Sequence, residues 1–147
     1  THFVSVAENV KPYKVGSHRH APEIDQELSA LASSEIRATF TPHLVPLDQG
    51  ELVSCYVTPT SAVTLDEVQA LFHDAYAGEP FVELATDPPG VRDVRETNLC
   101  RIHCAADPRT GKLLVFGAID NLWKGTASQA VQSLNLMFGF DETAGLA

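Results

Sequence analysis

The stretch Tyr13-Lys14-Val15-Gly16-Ser17-His18-Arg19-His20-Ala21-Pro22-Glu23 holds the densest set of reactive side chains in this chain. Imidazole titrates near neutrality, so His18 and His20 are candidates to take up or release a proton at working pH. Arg19 can grip a carboxylate or phosphate with its planar fork. A helix start just beyond it would add backbone donors suited to an anion. Glu23 follows His20 at a spacing that one turn brings together, where its carboxylate could orient the ring. Two other readings stay open. The stretch can be a solvated basic loop with Ser17 or His20 merely near a helix cap. It can also donate zinc ligands through His-x-His, but a tight site needs three or four, and His2, His43, His73 and His103 show no matching spacing.

A second stretch, Ala118-Ile119-Asp120-Asn121-Leu122-Trp123-Lys124-Gly125, joins a buried-looking strand to a helix of small residues. Asn121 and Lys124 offer ligand contacts there, and Gly125 lets a backbone approach closely. The alternative is a plain strand-to-helix connection with an N-cap. His43 reads as structural or interfacial and Trp123 as packing. The three cysteines, Cys55, Cys100 and Cys104, have no regular spacing. They are expected as small buried hydrophobes in a reducing cytosol rather than as a disulfide framework. No Gly-x-Gly-x-x-Gly follows a strand, so a complete dehydrogenase is not legible in these residues.

The elements that must carry these groups follow from periodicity. Phe3–Val6 reads as a short strand. Pro22 sits in the first turn of a helix whose stripe is Ile24, Leu28 and Leu31, with Asp25 and Glu27 near its start. Ile36–Val45 is expected as a strand, irregular or at an edge because of Pro42. A turn at Asp48-Gln49-Gly50 should lead to a second strand, Leu52–Thr58. Thr64-Leu65-Asp66-Glu67 is a capping box opening a helix that ends near Gly78. Phe81–Leu84, Leu99–Ala106 and Lys112–Ile119 read as strands, the last two joined by the Asp107–Gly111 turn. Asp87–Arg95 reads as loop. A last helix, Gly125–Phe138, is capped by Gly139. Hairpin-linked strands with interspersed helices predict an α+β fold, with a mixed, largely antiparallel sheet and helices on one face.

Composition bounds the partners. A chain of 147 residues suits one domain. Its net charge of −9 repels polyanions, which argues against nucleic acid. No apolar run approaches the ~20 residues of a membrane span, and no secretory signal is visible. The chain opens on Thr1 in mid-pattern, so a domain cut from a longer polypeptide is expected.

His18-Arg19-His20-Ala21-Pro22-Glu23-Ile24 resembles the His-Arg-His-x-Pro-Glu-Ile signature of the N-acetyl-glutamyl-phosphate reductases of arginine synthesis. Pro42-His43-Leu44-Val45-Pro46 and Asp120–Gly125 are similar to further blocks of that family. So are Gln129–Gln132, Asn135–Gly139 and Glu142–Leu146, all in the family's order. The resemblance implies a cytoplasmic oxidoreductase that turns N-acetyl-glutamyl phosphate into the semialdehyde and phosphate with NADPH, through a cysteine thioester. The nucleophilic cysteine and the glycine-rich cofactor loop of the family lie upstream of the matched stretch. None of Cys55, Cys100 or Cys104 falls at the nucleophile's motif. Residues 1–147 would then be the single substrate-binding and dimerisation domain, of the glyceraldehyde-3-phosphate-dehydrogenase-like C-terminal type. Residues 125–147 would be a helix and tail packing on the absent NADP-binding domain.

In that role His20 is the candidate acid–base group, with His18 as the alternative or a substrate contact. Glu23 orients His20, while Arg19 and Tyr13 contact substrate. Asn121, Lys124 and Gly125 lie by the cofactor, which the absent domain mainly binds; no metal is implied. The acyl phosphate is the small-molecule partner, and the assembly is a homodimer or homotetramer. Ala21 stands where the family pattern has Thr, Gln49 where Arg is usual, and Trp123 and Ser128 where smaller residues are usual. A carrier-bound glutamyl or aminoadipyl phosphate reductase of lysine synthesis, or a stand-alone dimerisation or ligand-binding module, are the competing readings.

Overall fold

The computed structural model describes residues 6–146. The strand expected over Phe3–Val6 lies outside the described residues except for Val6, which opens a turn. Contacts divide the chain into two compact units, one ending at Asp48 and one beginning at Gln49.

In the first unit, β1 (Lys11–Pro12) pairs antiparallel with β2 (His43–Leu44). The Tyr13 N–H extends this ladder by donating to the Pro42 carbonyl at 3.1 Å. Between them runs α1 (His20–Ala32), with Pro22 inside its first turn, where a missing N–H costs no helical bond. The strand expected over Ile36–Val45 is reduced to the two residues of β2. The cause is local. The Ser29 hydroxyl accepts the Ile36 N–H at 2.9 Å, and the Asp25 carboxylate accepts the Ala38 N–H at 2.8 Å. Side chains of α1 thus take the donors that a neighbouring strand would need, and Pro42 has none to give. The Asp48–Gly50 turn correspondingly closes no hairpin, because β2 pairs with β1 and the next strand lies in a different sheet.

The second unit is built on a four-stranded sheet of order β3-β6-β5-β4. Its strands are β3 (Glu51–Val57), β4 (Val82–Leu84), β5 (Cys100–Asp107) and β6 (Lys112–Ile119). β5 pairs antiparallel with β6, and β6 with β3, while β4 runs parallel to β5, so the sheet is mixed. At the β5–β6 turn the Asp107 carboxylate accepts the Arg109 N–H at 2.9 Å and the Thr110 hydroxyl at 2.8 Å. Gly111 supplies the positive φ of 70° that the turn requires.

Helix α2 (Leu65–Ala75) starts as the sequence predicts. The Thr64 hydroxyl accepts the Glu67 N–H at 3.2 Å, and the Glu67 carboxylate accepts the Thr64 N–H at 2.8 Å. Its Val68 packs with Ile102 and Cys104 of β5, with Leu65, Phe72, Leu84 and Val115 around them. Each side chain buried this fully contributes about 1.5–3 kcal/mol. β3 is an edge strand exposed along its whole length.

The last helix differs from the sequence reading in its start. Trp123–Ala127 forms a π turn, in which the Ala127 N–H reaches back to the Leu122 carbonyl at 3.0 Å. Regular helix α3 (Ser128–Phe138) begins only after it and ends on Gly139 at φ 70°. No helix among the described residues is long and apolar enough to cross a membrane.

Candidate active site

The first unit brings Tyr13, His18, His20 and Glu23 together, in different environments. A turn closed by the Ser17 N–H on the Lys14 carbonyl brings the chain to His18, whose own carbonyl accepts the Ala21 N–H and opens α1. His18 is buried, at 9% exposure. Its ring meets Tyr13 edge-on at 5.4 Å, Phe40 at 5.3 Å and His20 at 4.8 Å between centroids. Its Nδ1 accepts the His20 backbone N–H at 3.3 Å. Burial, and then the charges of His20, Lys14 and Arg19, lower the His18 pKa, with Glu23 opposing them.

The His20 ring is exposed and stands 3.9 Å from the Glu23 carboxylate, within ionic reach but beyond a hydrogen bond. Arg19 is exposed at the helix start. Phe40 was missed by the sequence reading, because it lies in the stretch taken for a strand. Among the described residues no three of His, Cys, Asp and Glu converge as metal ligands.

In the second unit the Asp120–Gly125 stretch is organised by a residue that the sequence reading passed over. Asp120 is fully buried. One of its carboxylate oxygens accepts the Gln49 amide at 2.7 Å and the Glu96 N–H at 2.8 Å. The other accepts the Leu122 and Trp123 N–H groups at 2.9 and 3.1 Å. Burial by itself would raise the carboxyl pKa; these four donors together outweigh it and hold the group below its ordinary value. The signal was an Asp three residues before the first residue of a helical turn, the Asx pattern that caps backbone donors. The N-cap alternative weighed for this stretch therefore describes it in part. Gln49, where the family pattern has Arg, donates to the Asp120 carboxylate.

Asn121 and Lys124 have partners within the unit. Asn121 Oδ1 accepts the Gly50 N–H at 2.6 Å. Lys124 Nζ donates to Gln132 Oε1 at 2.6 Å and lies 5.5 Å from the Phe81 ring centre. Burial lowers the Lys124 pKa, with Cys100, Glu142 and Glu79 opposing. A Cβ at Gly125 would meet only ordinary contacts at 3.5–3.7 Å, so no cradle is formed there.

Around Lys124 lies a buried polar network. Gln132 Oε1 also accepts the Asn98 amide at 2.9 Å, and Asn98 Oδ1 accepts the Ser128 hydroxyl at 2.6 Å. The Gln132 amide donates to Glu142 at 2.6 Å, and the Asn135 amide to the Glu142 and Ala144 carbonyls at 3.1 and 3.0 Å.

Gly50 is held at φ 118°, and a Cβ there would stand 2.6 Å from Val91 Cβ. Gly50→Ala is therefore expected to lose on the order of 2–4 kcal/mol, from the clash and the strained φ together. Thermal unfolding of the variant measures it, and an unchanged midpoint would show that Val91 yields freely.

The cysteines are free, and the sequence reading needs one correction: Cys104 is buried and Cys100 half-buried, but Cys55 is exposed on the edge strand. Burial pushes the Cys100 and Cys104 thiols up, Cys100 against a smaller opposing effect of Lys124, and partial desolvation against the sheet raises Cys55 although the residue is exposed, so none is poised as a thiolate. A cleft of about 420 Å³ lies between α2 and the β4–β5 edge, lined by Gln69, His73, Thr86 and Cys104 among others, away from the candidate catalytic, substrate and cofactor residues.

The family model for the semialdehyde dehydrogenase dimerisation domain matches residues 1–121. A curated N-acetyl-gamma-glutamyl-phosphate reductase of Moorella thermoacetica is 50% identical across 98% of this chain and 42% of its own length. That of Desulforudis audaxviator is 47% identical across 99% of this chain and 43% of its own. The chain thus spans about two-fifths of the length of these relatives. The crystal structure of aspartate semialdehyde dehydrogenase II from Vibrio cholerae superposes with a TM-score of 0.71 at 20% identity, covering 91% of this chain and 42% of that one. The expected α+β class, with a mixed sheet of this dehydrogenase type, is the fold observed.

Proposed function

This chain belongs to the semialdehyde dehydrogenase dimerisation-domain family, and from that premise we propose that it is the C-terminal domain of an N-acetyl-gamma-glutamyl-phosphate reductase of arginine biosynthesis. The observation that carries the reading is identity of 47–50% to reductases of that name across nearly the whole chain. The reaction takes N-acetyl-glutamyl phosphate to the semialdehyde and phosphate. NADPH, bound mainly by the rest of the polypeptide, supplies the hydride, and a cysteine there supplies the thiolate.

This chain's share is proton transfer and substrate contact. His20, exposed at the start of α1, exchanges a proton with the thiol and later with the tetrahedral oxygen. Glu23 orients its ring, and Arg19 and Tyr13 meet the acyl phosphate. Asn121, Lys124 and Gly125 border the cofactor rather than hold it.

Two surfaces support a place in a larger assembly. α3 leaves Val131, Leu134 and Phe138 at 41%, 48% and 67% exposure, an apolar face suited to the cofactor domain. The exposed β3, with Leu52 and Tyr56, suits a second subunit of a homodimer or homotetramer. The test is phosphate-dependent reduction of NADP by N-acetyl-glutamate semialdehyde. A full-length parent should catalyse it and this chain alone should not. A parent inert with this semialdehyde but active with another, or a chain active by itself, overturns the reading.

A further inference from the structure

We infer that His18 is a positioning residue rather than a second acid–base group: its ring, wedged between Tyr13 and Phe40, receives the His20 backbone N–H on Nδ1 and so fixes where the His20 ring stands. The inference rests on the proposed role of His20 and assigns the neighbouring imidazole a different one. The two rings are two residues apart but sit in opposite environments. His18 is 9% exposed, while the His20 side chain is 49% exposed.

His18 is gripped from three sides. Tyr13 is tied to the Pro42 carbonyl at 3.1 Å beside the β1–β2 pair, and Phe40 lies just before Pro42. One short ladder therefore anchors the chain on both sides of the His18 ring, with centroids at 5.4 and 5.3 Å. The third neighbour is the His20 ring at 4.8 Å, turned by 78°. An N–H can be accepted by Nδ1 only through its lone pair, so the proton of the neutral ring sits on Nε2.

The groups facing His18 preserve that state. Burial, then His20, Lys14 and Arg19, disfavour a second proton, and Glu23 alone favours one. A protonated His18 would aim a donor at the His20 N–H. The anchor is therefore present at neutral pH and is lost as pH falls through the lowered His18 value.

Two measurements test this. Nitrogen-15 spectra of this chain, labelled at histidine, should show His18 with its proton on Nε2 and the His20 amide resonance moving as His18 titrates; a proton on Nδ1 overturns the inference. In the full-length parent, His18→Asn places an acceptor oxygen where Nδ1 stood and should keep kcat within about threefold, with the acid limb that His18 causes gone. His18→Leu fills the space without an acceptor and should lower kcat by about tenfold or more at near-constant KM, as misplacement of a reacting group does.

If His18→Asn is as slow as His18→Leu while both retain native amide spectra, the ring itself reacts and the inference falls, leaving the reading of the cluster in place. If His18→Leu keeps the full rate, the inference also falls. If His20→Ala keeps the full rate, the proposed role of His20 falls and takes the inference with it.

Discussion

Asp120→Ala is expected to destabilise the unit from Gln49 onward by on the order of 3–5 kcal/mol, the scale for stripping the partner from buried, charge-assisted hydrogen bonds. Four donors converge on this carboxylate, and the residue has no exposed surface. Removal leaves three backbone N–H groups and the Gln49 amide without an acceptor. Asp120→Asn is the sharper test. Both oxygens accept two donors, so whichever way the amide turns, an NH₂ faces two N–H groups. Retaining the shape therefore rescues little. In a domain whose total stability is about 5–15 kcal/mol, either variant should lower the unfolding midpoint by on the order of 10 °C.

The same site has a pH signature. The folded carboxyl lies below its ordinary value of 3.8, so its contribution is fully present above that value. It is lost as pH falls through the lower, folded value. Asp107, Asp141 and Glu67 are held low as well. The difference between wild type and Asp120→Asn isolates the Asp120 share. Urea unfolding from pH 7 down to acid should show the stability gap closing only at the acid end. A gap independent of pH there would mean that Asp120 acts by shape alone.

Asp120 also explains why the second unit was only partly legible. The strands and α2 were visible because their signals are local: alternation in β5, an apolar run in β6, a capping box at Thr64, a turn at Asp107–Gly111. The π turn was not, because it is imposed by a buried carboxylate holding the Leu122 and Trp123 N–H groups. α3 reverses the usual rule outright. Ser128, Gln132 and Asn135, spaced like a solvent face, are buried, while Leu134 and Phe138 are exposed. Periodicity reports which face is apolar, but not what covers it; here the polar stripe is satisfied by Asn98 and the carbonyls near Glu142. The lost strand over Ile36–Val45 has a similar cause. Ser29 and Asp25 reach its backbone from a helix, a contact that propensity and alternation do not encode. The imidazole cluster itself was legible by residue type, but the difference in environment within it was not, because burial separates residues that look alike in sequence.

The role proposed for His20 sets the largest catalytic effect expected of this chain. In a full-length parent, His20→Ala should lower kcat by about 10²–10⁴-fold, the usual share of a positioned acid–base group. Glu23→Ala should cost far less. The Glu23 carboxylate stands 3.9 Å from the His20 ring with its side chain 70% exposed, and an exposed pair of that kind changes an equilibrium by no more than about fivefold. Steady-state rates of the two variants at saturating substrate decide the matter. A ratio of tenfold or more between them places the chemistry on the ring and leaves Glu23 as a weak orienter. Equal losses would mean that the pair closes to hydrogen-bond distance once substrate and thiol are in place, since catalytic contacts often tighten only in the assembled complex. The 3.9 Å separation would then describe the open site, and the carboxylate would share the His20 role.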